Sequence, residues 1–126
     1  MKKILIVLAD YYGDISSELL KSAKNNLNNF SIKVVKVPGV FEIAVTISKN
    51  IKKYDAFIAL GCVIKGETPH FDFISAASTQ AIMDLSIHSK KPIGNGIITC
   101  LNKKQARARA EKGKEAAKAV ASVLSQ

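Results

Sequence analysis

The chain has 126 residues, of which 48% are hydrophobic and 23% are charged, and its formal net charge is +9 at pH 7. This length and composition predict one globular domain spanning residues 1–126. No apolar run approaches the ~20 residues that a membrane-spanning helix needs, so we expect a soluble protein.

The N-terminus, MKKILIVLADYY, has the basic start of a signal peptide. Its apolar stretch is short, Asp10 interrupts it, and no small-residue cleavage site follows. We therefore interpret residues 3–9, an almost unbroken apolar run, as a central parallel strand covered on both faces. Cys62 and Cys100 lack the spacing of a metal site, and we expect them to be reduced thiols in a cytoplasmic protein.

The first strand is followed by a predicted helix that Asp14 is placed to cap. Its apolar positions recur every four residues: Ile15, Leu19, Ala23 and Leu27. Residues 32–37 form a second strand, in which Lys33 and Lys36 favour an edge position. Pro38 and Gly39 end that strand before another helix.

Residues 56–61 are again apolar and predict a second central strand. The next helix runs from about Pro69 to Ser89, with Thr68 as its N-cap and Pro69 as its first residue. Residues 93–99 form the fourth strand, and one long helix from about Lys103 to Leu124 completes the chain.

Alternating strands and helices indicate an α/β three-layer sandwich around a four-stranded parallel sheet of order 2-1-3-4. Ligands of such sheets bind beyond the carboxyl ends of the strands, where the strand order reverses. Three loops meet there: residues 10–12, residues 38–42 and residues 62–70. The pattern predicts a small-molecule site that binds a flat group and an anion beside His70.

Much of the positive charge lies near the C-terminus. The basic residues of the segment KKQARARAEKGK are Lys103, Lys104, Arg107, Arg109, Lys112 and Lys114. Such a face attracts phosphorylated substrates or polyanions, although a solvated helix face is the simpler interpretation for most of these side chains.

Three blocks in this order resemble the lumazine synthase family: VPGVFEIA (37–44), GCVIKGETPHFDF (61–73), and GIIT followed by KKQARARA (96–110). The resemblance implies a flavodoxin-like fold. It also implies condensation of 5-amino-6-(D-ribitylamino)uracil with 3,4-dihydroxy-2-butanone 4-phosphate, without a cofactor or metal. This reaction, which forms 6,7-dimethyl-8-ribityllumazine, is the penultimate step of riboflavin biosynthesis.

The resemblance also implies roles for particular residues. His70 is expected to be the general acid and base, because imidazole accepts and donates protons near neutral pH. The backbone of Glu67, the backbone and hydroxyl of Thr68, and the guanidinium of Arg109 are expected to hold the phosphate. The pyrimidine and its ribityl chain are expected to meet Tyr11, Val40, Phe41, Glu42, Cys62, Val63, Ile64 and Asn95.

The chain departs from the family pattern at several positions. Tyr11 stands where relatives usually carry phenylalanine or tryptophan, and Tyr12 replaces a common asparagine. Asn95 stands where many relatives place a phenylalanine, and Lys104 replaces an acidic residue. We expect the chain to lack the N-terminal extension of many relatives, and residues 109–113 are shorter than the usual glycine-rich kink.

In this family the pocket lies between adjacent subunits of a pentamer, one contributing Tyr11, Glu42 and His70 and the other Asn95 and Arg109. The resemblance thus implies a homopentamer and leaves a sixty-subunit shell open. Alternatives are an archaeal-type riboflavin synthase relative, which the intact GETPH block opposes, and a non-catalytic flavin- or nucleotide-binding module. Nucleic-acid binding is disfavoured, since no aromatic residues lie among the C-terminal lysines and arginines.

Overall fold

The computed structural model describes every residue from Met1 to Gln126. Four parallel strands form one sheet in the order β2-β1-β3-β4, which confirms the predicted topology. The strands are β1 (Lys3–Ala9), β2 (Ser31–Val37), β3 (Ala56–Ile64) and β4 (Ile93–Cys100). As predicted, β1 and β3 are central and β2 is an edge strand, on which Lys33 and Lys36 are exposed.

Helices cover both faces of the sheet. They are α1 (Gly13–Lys24), α2 (Ile43–Lys49), α3 (His70–Ser89), α4 (Lys103–Ala108) and α5 (Lys112–Leu124), with a 3₁₀ turn at Val40–Glu42 before α2. One core joins α1, α4 and α5 to one face of the sheet, and a second core joins α2 and α3 to the other face. No helix is both long and apolar enough to cross a bilayer.

Strand β1 shows why its sequence is apolar throughout. Ile4, Ile6 and Leu8 lie in the core under α1 and α5, whereas Leu5 and Val7 lie in the core under α2 and α3. Successive side chains of a strand point to opposite faces, and both faces are covered here. Both sets are therefore buried, and a central strand must be apolar at every position.

Strand β3 is longer than predicted. It continues through Cys62 to Ile64 because these residues pair with β4 up to Cys100, and the Lys65 N–H donates to the Cys100 carbonyl oxygen at 2.9 Å. Both cysteines therefore lie within strands, rather than just after them, and both are free thiols.

The predicted cap of α1 was wrong. Tyr12 is at the N-cap without a side-chain capping bond, and Asp14 lies in the first turn. The Asp14 carboxylate forms an ion pair with Arg107 at 3.2 Å. A hydrogen bond from the Ile15 backbone, and then the Arg107 guanidinium, lower the pKa of Asp14 below its ordinary value. Asp14 thus connects α1 to α4.

The long C-terminal helix that we predicted is in fact two helices, with a break at residues 109–111. Beyond the break, α5 lies so close to α1 that a Cβ at Gly113 would overlap the Leu19 carbonyl oxygen and lie 2.5 Å from Ser22 Oγ. The Ser22 hydroxyl also donates to the Ala110 carbonyl at 3.1 Å. Contact with α1 thus directs α5 along a path that a straight helix from Lys103 would not follow.

Replacing Gly113 should therefore destabilise the fold. Alanine favours a helix over glycine by ~1 kcal/mol, but here its methyl group would be forced into the α1 backbone. We expect Gly113→Ala to lower the free energy of unfolding by about 1–3 kcal/mol in denaturant titrations. The matched control is Gly66→Ala, where a Cβ would meet nothing within 4 Å and the change should stay within about 0.5 kcal/mol. Equal stability of the two variants would contradict this account of the break.

Candidate active site

A cavity of about 480 Å³ opens at the carboxyl ends of β1 and β3. The helix after β1 covers one face of the sheet and the helix after β3 covers the other, so this is the point where the strand order reverses. The cavity is lined by Tyr11, Tyr12, Pro38, Gly39, Val40, Phe41, Glu42, Cys62, Val63, Ile64, His70 and Ile74. Eight of the predicted site residues are therefore neighbours in space.

The loop after β1 contributes two aromatic rings. Tyr11 is 74% exposed, and its ring meets the ring of Tyr12 edge to face, with centroids 4.9 Å apart and planes at 73°. A flat face of Tyr11 is therefore available to a ligand. Stacking on such a face is a common way to bind a planar heterocycle.

The loop after β2 lies against β3 because Gly61 lacks a side chain. A Cβ at Gly61 would lie 2.8 Å from Val40 Cγ2 and 3.1 Å from Ala9 Cβ. Val40 is accordingly buried, whereas the next residue, Phe41, is 72% exposed. The carboxylate of Glu42 folds back over Gly39, where an added Cβ would lie 3.3 Å from Glu42 Oε1. The close approach of this loop to β3 brings the ring of Phe41 and the carboxylate of Glu42 to the cavity.

His70 is the first residue of α3, and its exposed side chain lines the cavity. Pro69, not Thr68, occupies the N-cap, so the predicted helix start was one residue early. The Thr68 hydroxyl nevertheless accepts a hydrogen bond from the His70 backbone N–H at 3.4 Å. Glu67 and Thr68 are exposed in the loop that leads to His70, and they do not line the cavity itself.

Cys62 is buried at the floor of the cavity. Burial, followed by the proximity of and a hydrogen bond with Cys100, raises the pKa of the Cys62 thiol to about 12. The thiolate is the nucleophilic form of cysteine, and it is scarce at neutral pH when the pKa is this high. The Cys62 thiol is therefore unsuited to act as a nucleophile.

Arg109 lies outside the His70 cavity. It lines a second cavity, of about 730 Å³, together with Ile97, Ile98, Thr99, Ala108, Glu111, Lys112, Lys114, Glu115 and Lys118. The two cavities share no residue. Arg109 Nη1 donates to the Thr99 carbonyl at 3.1 Å, and no carboxylate lies within ion-pair distance of its guanidinium.

Two cations near Arg109 in the sequence already pair with carboxylates. Arg107 pairs with Asp14 at 3.2 Å, and Lys112 pairs with Glu115 at 2.9 Å. Arg109 therefore keeps N–H donors without an acceptor in its own protomer, whereas these two neighbours already meet a carboxylate. Asn95 also lies outside the His70 cavity, on the exposed side of β4, where its Oδ1 accepts from the Ile97 N–H at 3.0 Å.

Sequence reasoning did not assign four of the lining residues. Pro38, Gly39 and Tyr12 lie in loops that were predicted to meet at the site, but none of the three was given a role in binding. Ile74 was detectable, because it follows His70 by four positions and so lies on the same helix face.

The fold and cavity define a class: an α/β protein of flavodoxin-like strand order, with a small-molecule site where the strand order reverses. Residues 1–126 match the 6,7-dimethyl-8-ribityllumazine synthase family. The enzyme of that name from Bartonella bacilliformis is 45% identical over 118 residues, covering 89% of this chain and 78% of the relative.

The enzyme of that name from Nitrobacter hamburgensis is 43% identical, covering 97% of this chain and 83% of the relative. That from Cutibacterium acnes is 38% identical, covering 97% of this chain and 80% of the relative. The chain belongs to the 6,7-dimethyl-8-ribityllumazine synthase family.

Proposed function

We propose that this protein condenses 5-amino-6-(D-ribitylamino)uracil with 3,4-dihydroxy-2-butanone 4-phosphate to give 6,7-dimethyl-8-ribityllumazine, phosphate and water. The observation that carries this proposal is the single cavity in which an exposed tyrosine face and the His70 imidazole meet. Family membership supplies the chemistry that such a cavity would perform.

The reaction is a series of proton transfers around carbon–nitrogen bond formation. The 5-amino group attacks the ketone and loses water to form an imine, phosphate is then eliminated, and the ribitylamino nitrogen closes the second ring with loss of water. His70 accepts and donates the protons of these steps. No step requires a redox cofactor or a metal ion.

The pyrimidine occupies the His70 cavity. Tyr11 stacks on its face, Glu42 accepts from hydroxyl groups of the ribityl chain, and Val40 and Phe41 provide the apolar wall. Backbone groups of Cys62, Val63 and Ile64 pair with the edge of the heterocycle. The mainly apolar lining of this cavity and its few polar groups support this assignment.

The phosphate of the second substrate is held at the start of α3. The Thr68 hydroxyl oxygen accepts from the His70 N–H, and its own proton has no acceptor in the protomer, so it remains available to a phosphate oxygen. Backbone N–H groups of Glu67 and Thr68 and the positive end of the α3 dipole add to this seat. The backbone of Glu67, and not its carboxylate, is assigned to this contact, because a carboxylate would repel the phosphate.

Arg109 provides the strongest cation, but it comes from an adjacent subunit of a homopentamer, together with Asn95. Two observations support an assembly. Neither cavity of one protomer contains both His70 and Arg109. In addition, α2, α3 and the turn before α2 expose large apolar side chains: Phe41, Val45, Phe73, Met83 and Ile87. Such apolar patches mark interaction surfaces.

The enzyme acts in the cytoplasm as a single domain spanning residues 1–126. Support for this compartment comes from Cys62 and Cys100, both free thiols in adjacent strands, since thiols are kept reduced in the cytosol. One continuous sheet with a core on each face supports the single domain.

The test is an activity assay with both substrates and a chelator, and without added metal or cofactor. We expect lumazine to form faster than by spontaneous condensation. His70→Asn should lower the turnover number about tenfold to a hundredfold without abolishing it, because holding the two substrates together supplies much of the acceleration. A wild-type rate no higher than the spontaneous rate would refute the proposed function.

A further inference from the structure

Tyr12 is a lining residue to which the proposed chemistry assigns no role. It follows Tyr11 directly, contacts the cavity and occupies the N-cap position of α1. Its side chain is only partly exposed, whereas that of Tyr11 is 74% exposed. The two adjacent tyrosines are therefore held very differently.

The exposed ring of Tyr11 needs an orienting contact before it can stack on a ligand. Tyr12 is the one aromatic ring that meets it, at 4.9 Å between centroids and 73° between planes. An exposed side chain that a ligand must immobilise lowers affinity through lost rotamer freedom. A ring already oriented by a neighbour loses less freedom on binding.

Tyr12 is itself anchored. Its ring packs against the core beneath α1, α4 and α5, and Lys103 Nζ lies 5.9 Å from its centroid, within the range of a cation–π interaction. Burial also raises the pKa of the Tyr12 hydroxyl above its ordinary value. Tyr12 thus connects the core and α4 to the exposed ring of Tyr11.

We propose that Tyr12 is a positioning residue for the pyrimidine: its anchored ring holds Tyr11 edge to face, so that the flat face of Tyr11 is presented to the heterocycle. This inference rests on the proposed function. Tyr12 raises the affinity for the pyrimidine by acting through Tyr11.

The test compares Tyr12→Leu with Tyr12→Phe. Leucine fills the apolar contact but removes the ring edge, whereas phenylalanine keeps the ring. An aromatic pair contributes enough to change affinity roughly two- to tenfold. We expect Tyr12→Leu to raise the KM for the pyrimidine by about this factor, with the turnover number and the KM for the butanone phosphate nearly unchanged, and Tyr12→Phe to restore the wild-type value.

Direct binding of the pyrimidine, measured by calorimetry, provides a readout that does not depend on turnover. Lys103→Met should weaken binding of the pyrimidine, as Tyr12→Leu does. The matched control is Lys104→Met at the adjacent position, because Lys103 is the cation that lies over the Tyr12 ring. Two results would contradict the inference in a wild-type protein that makes lumazine. Tyr12→Leu could bind the pyrimidine with unchanged affinity, or it could lower the affinity for both substrates equally. If wild-type protein makes no lumazine, the proposed function itself has failed.

Discussion

Arg109→Ala should raise the KM for the butanone phosphate about tenfold to a hundredfold, with a much smaller change in the KM for the pyrimidine. The reason is that hydrogen bonds to charged groups contribute ~1.5–3 kcal/mol each, and every ~1.4 kcal/mol is a factor of ten in affinity. Steady-state kinetics with each substrate varied in turn measure the two constants separately.

The matched control is Arg107→Ala. Arg107 lies two residues earlier, in the last turn of α4, but its guanidinium already pairs with the Asp14 carboxylate at 3.2 Å. We expect Arg107→Ala to change the KM for the phosphate substrate less than about threefold, because the Arg107 guanidinium is already paired. Losing that exposed ion pair should also cost the fold little stability. Arg109→Lys should fall between wild type and alanine, because lysine keeps the charge and loses the planar fork. If Arg107→Ala and Arg109→Ala raised this KM equally, general basicity rather than a specific guanidinium would hold the phosphate.

Mixed assemblies of two impaired variants should regain activity. The first variant, Tyr11→Ala with His70→Ala, removes the ring and the imidazole from one cavity, and the second, Arg109→Ala, removes the cation from the other cavity. If each site combines the first cavity of one subunit with the second cavity of its neighbour, about a quarter of the sites in a random equal mixture carry every wild-type group.

Coexpression with two different affinity tags, followed by purification on both, isolates such mixed assemblies. Activity is measured at a butanone phosphate concentration below the KM of Arg109→Ala, where both parent variants have low rates. We expect a rate several times the mean of the two parents. A mixed rate equal to that mean would show that each site is built within one subunit, and an average solution mass equal to one protomer would exclude a shared site altogether.

Local patterns were sufficient to predict the sheet. Strands β1 and β3 are apolar at every position because both faces of each are covered, and Lys33 and Lys36 identified β2 as an edge strand. With the right-handed crossover rule, these features led to the order 2-1-3-4. The same order predicts that the loops carrying Tyr11, Phe41 and His70 meet at one end of the sheet, and these residues do line one cavity.

Details that depend on contact between distant segments were not predictable in this way. The register with β4 extends β3 to Ile64. Helix α1 begins at Gly13, so Asp14 lies in its first turn, where it pairs with Arg107, and not at the N-cap. The break between α4 and α5 follows from the approach of Gly113 to Leu19, residues separated by most of the chain. Periodicity across 103–124 contains no signal for such a contact.

By itself, the sequence determined the alternation of strands and helices, the two apolar central strands and the loops that follow the strands, because each of these depends on neighbouring residues and on the periods of regular structure. Only the tertiary structure decided which of the two C-terminal arginines lacks a carboxylate partner, and that His70 and Arg109 line separate cavities. The physical reason is that packing between helices far apart in the chain sets both the direction of α5 and the pairing of surface charges. Neither of these is encoded in the local sequence.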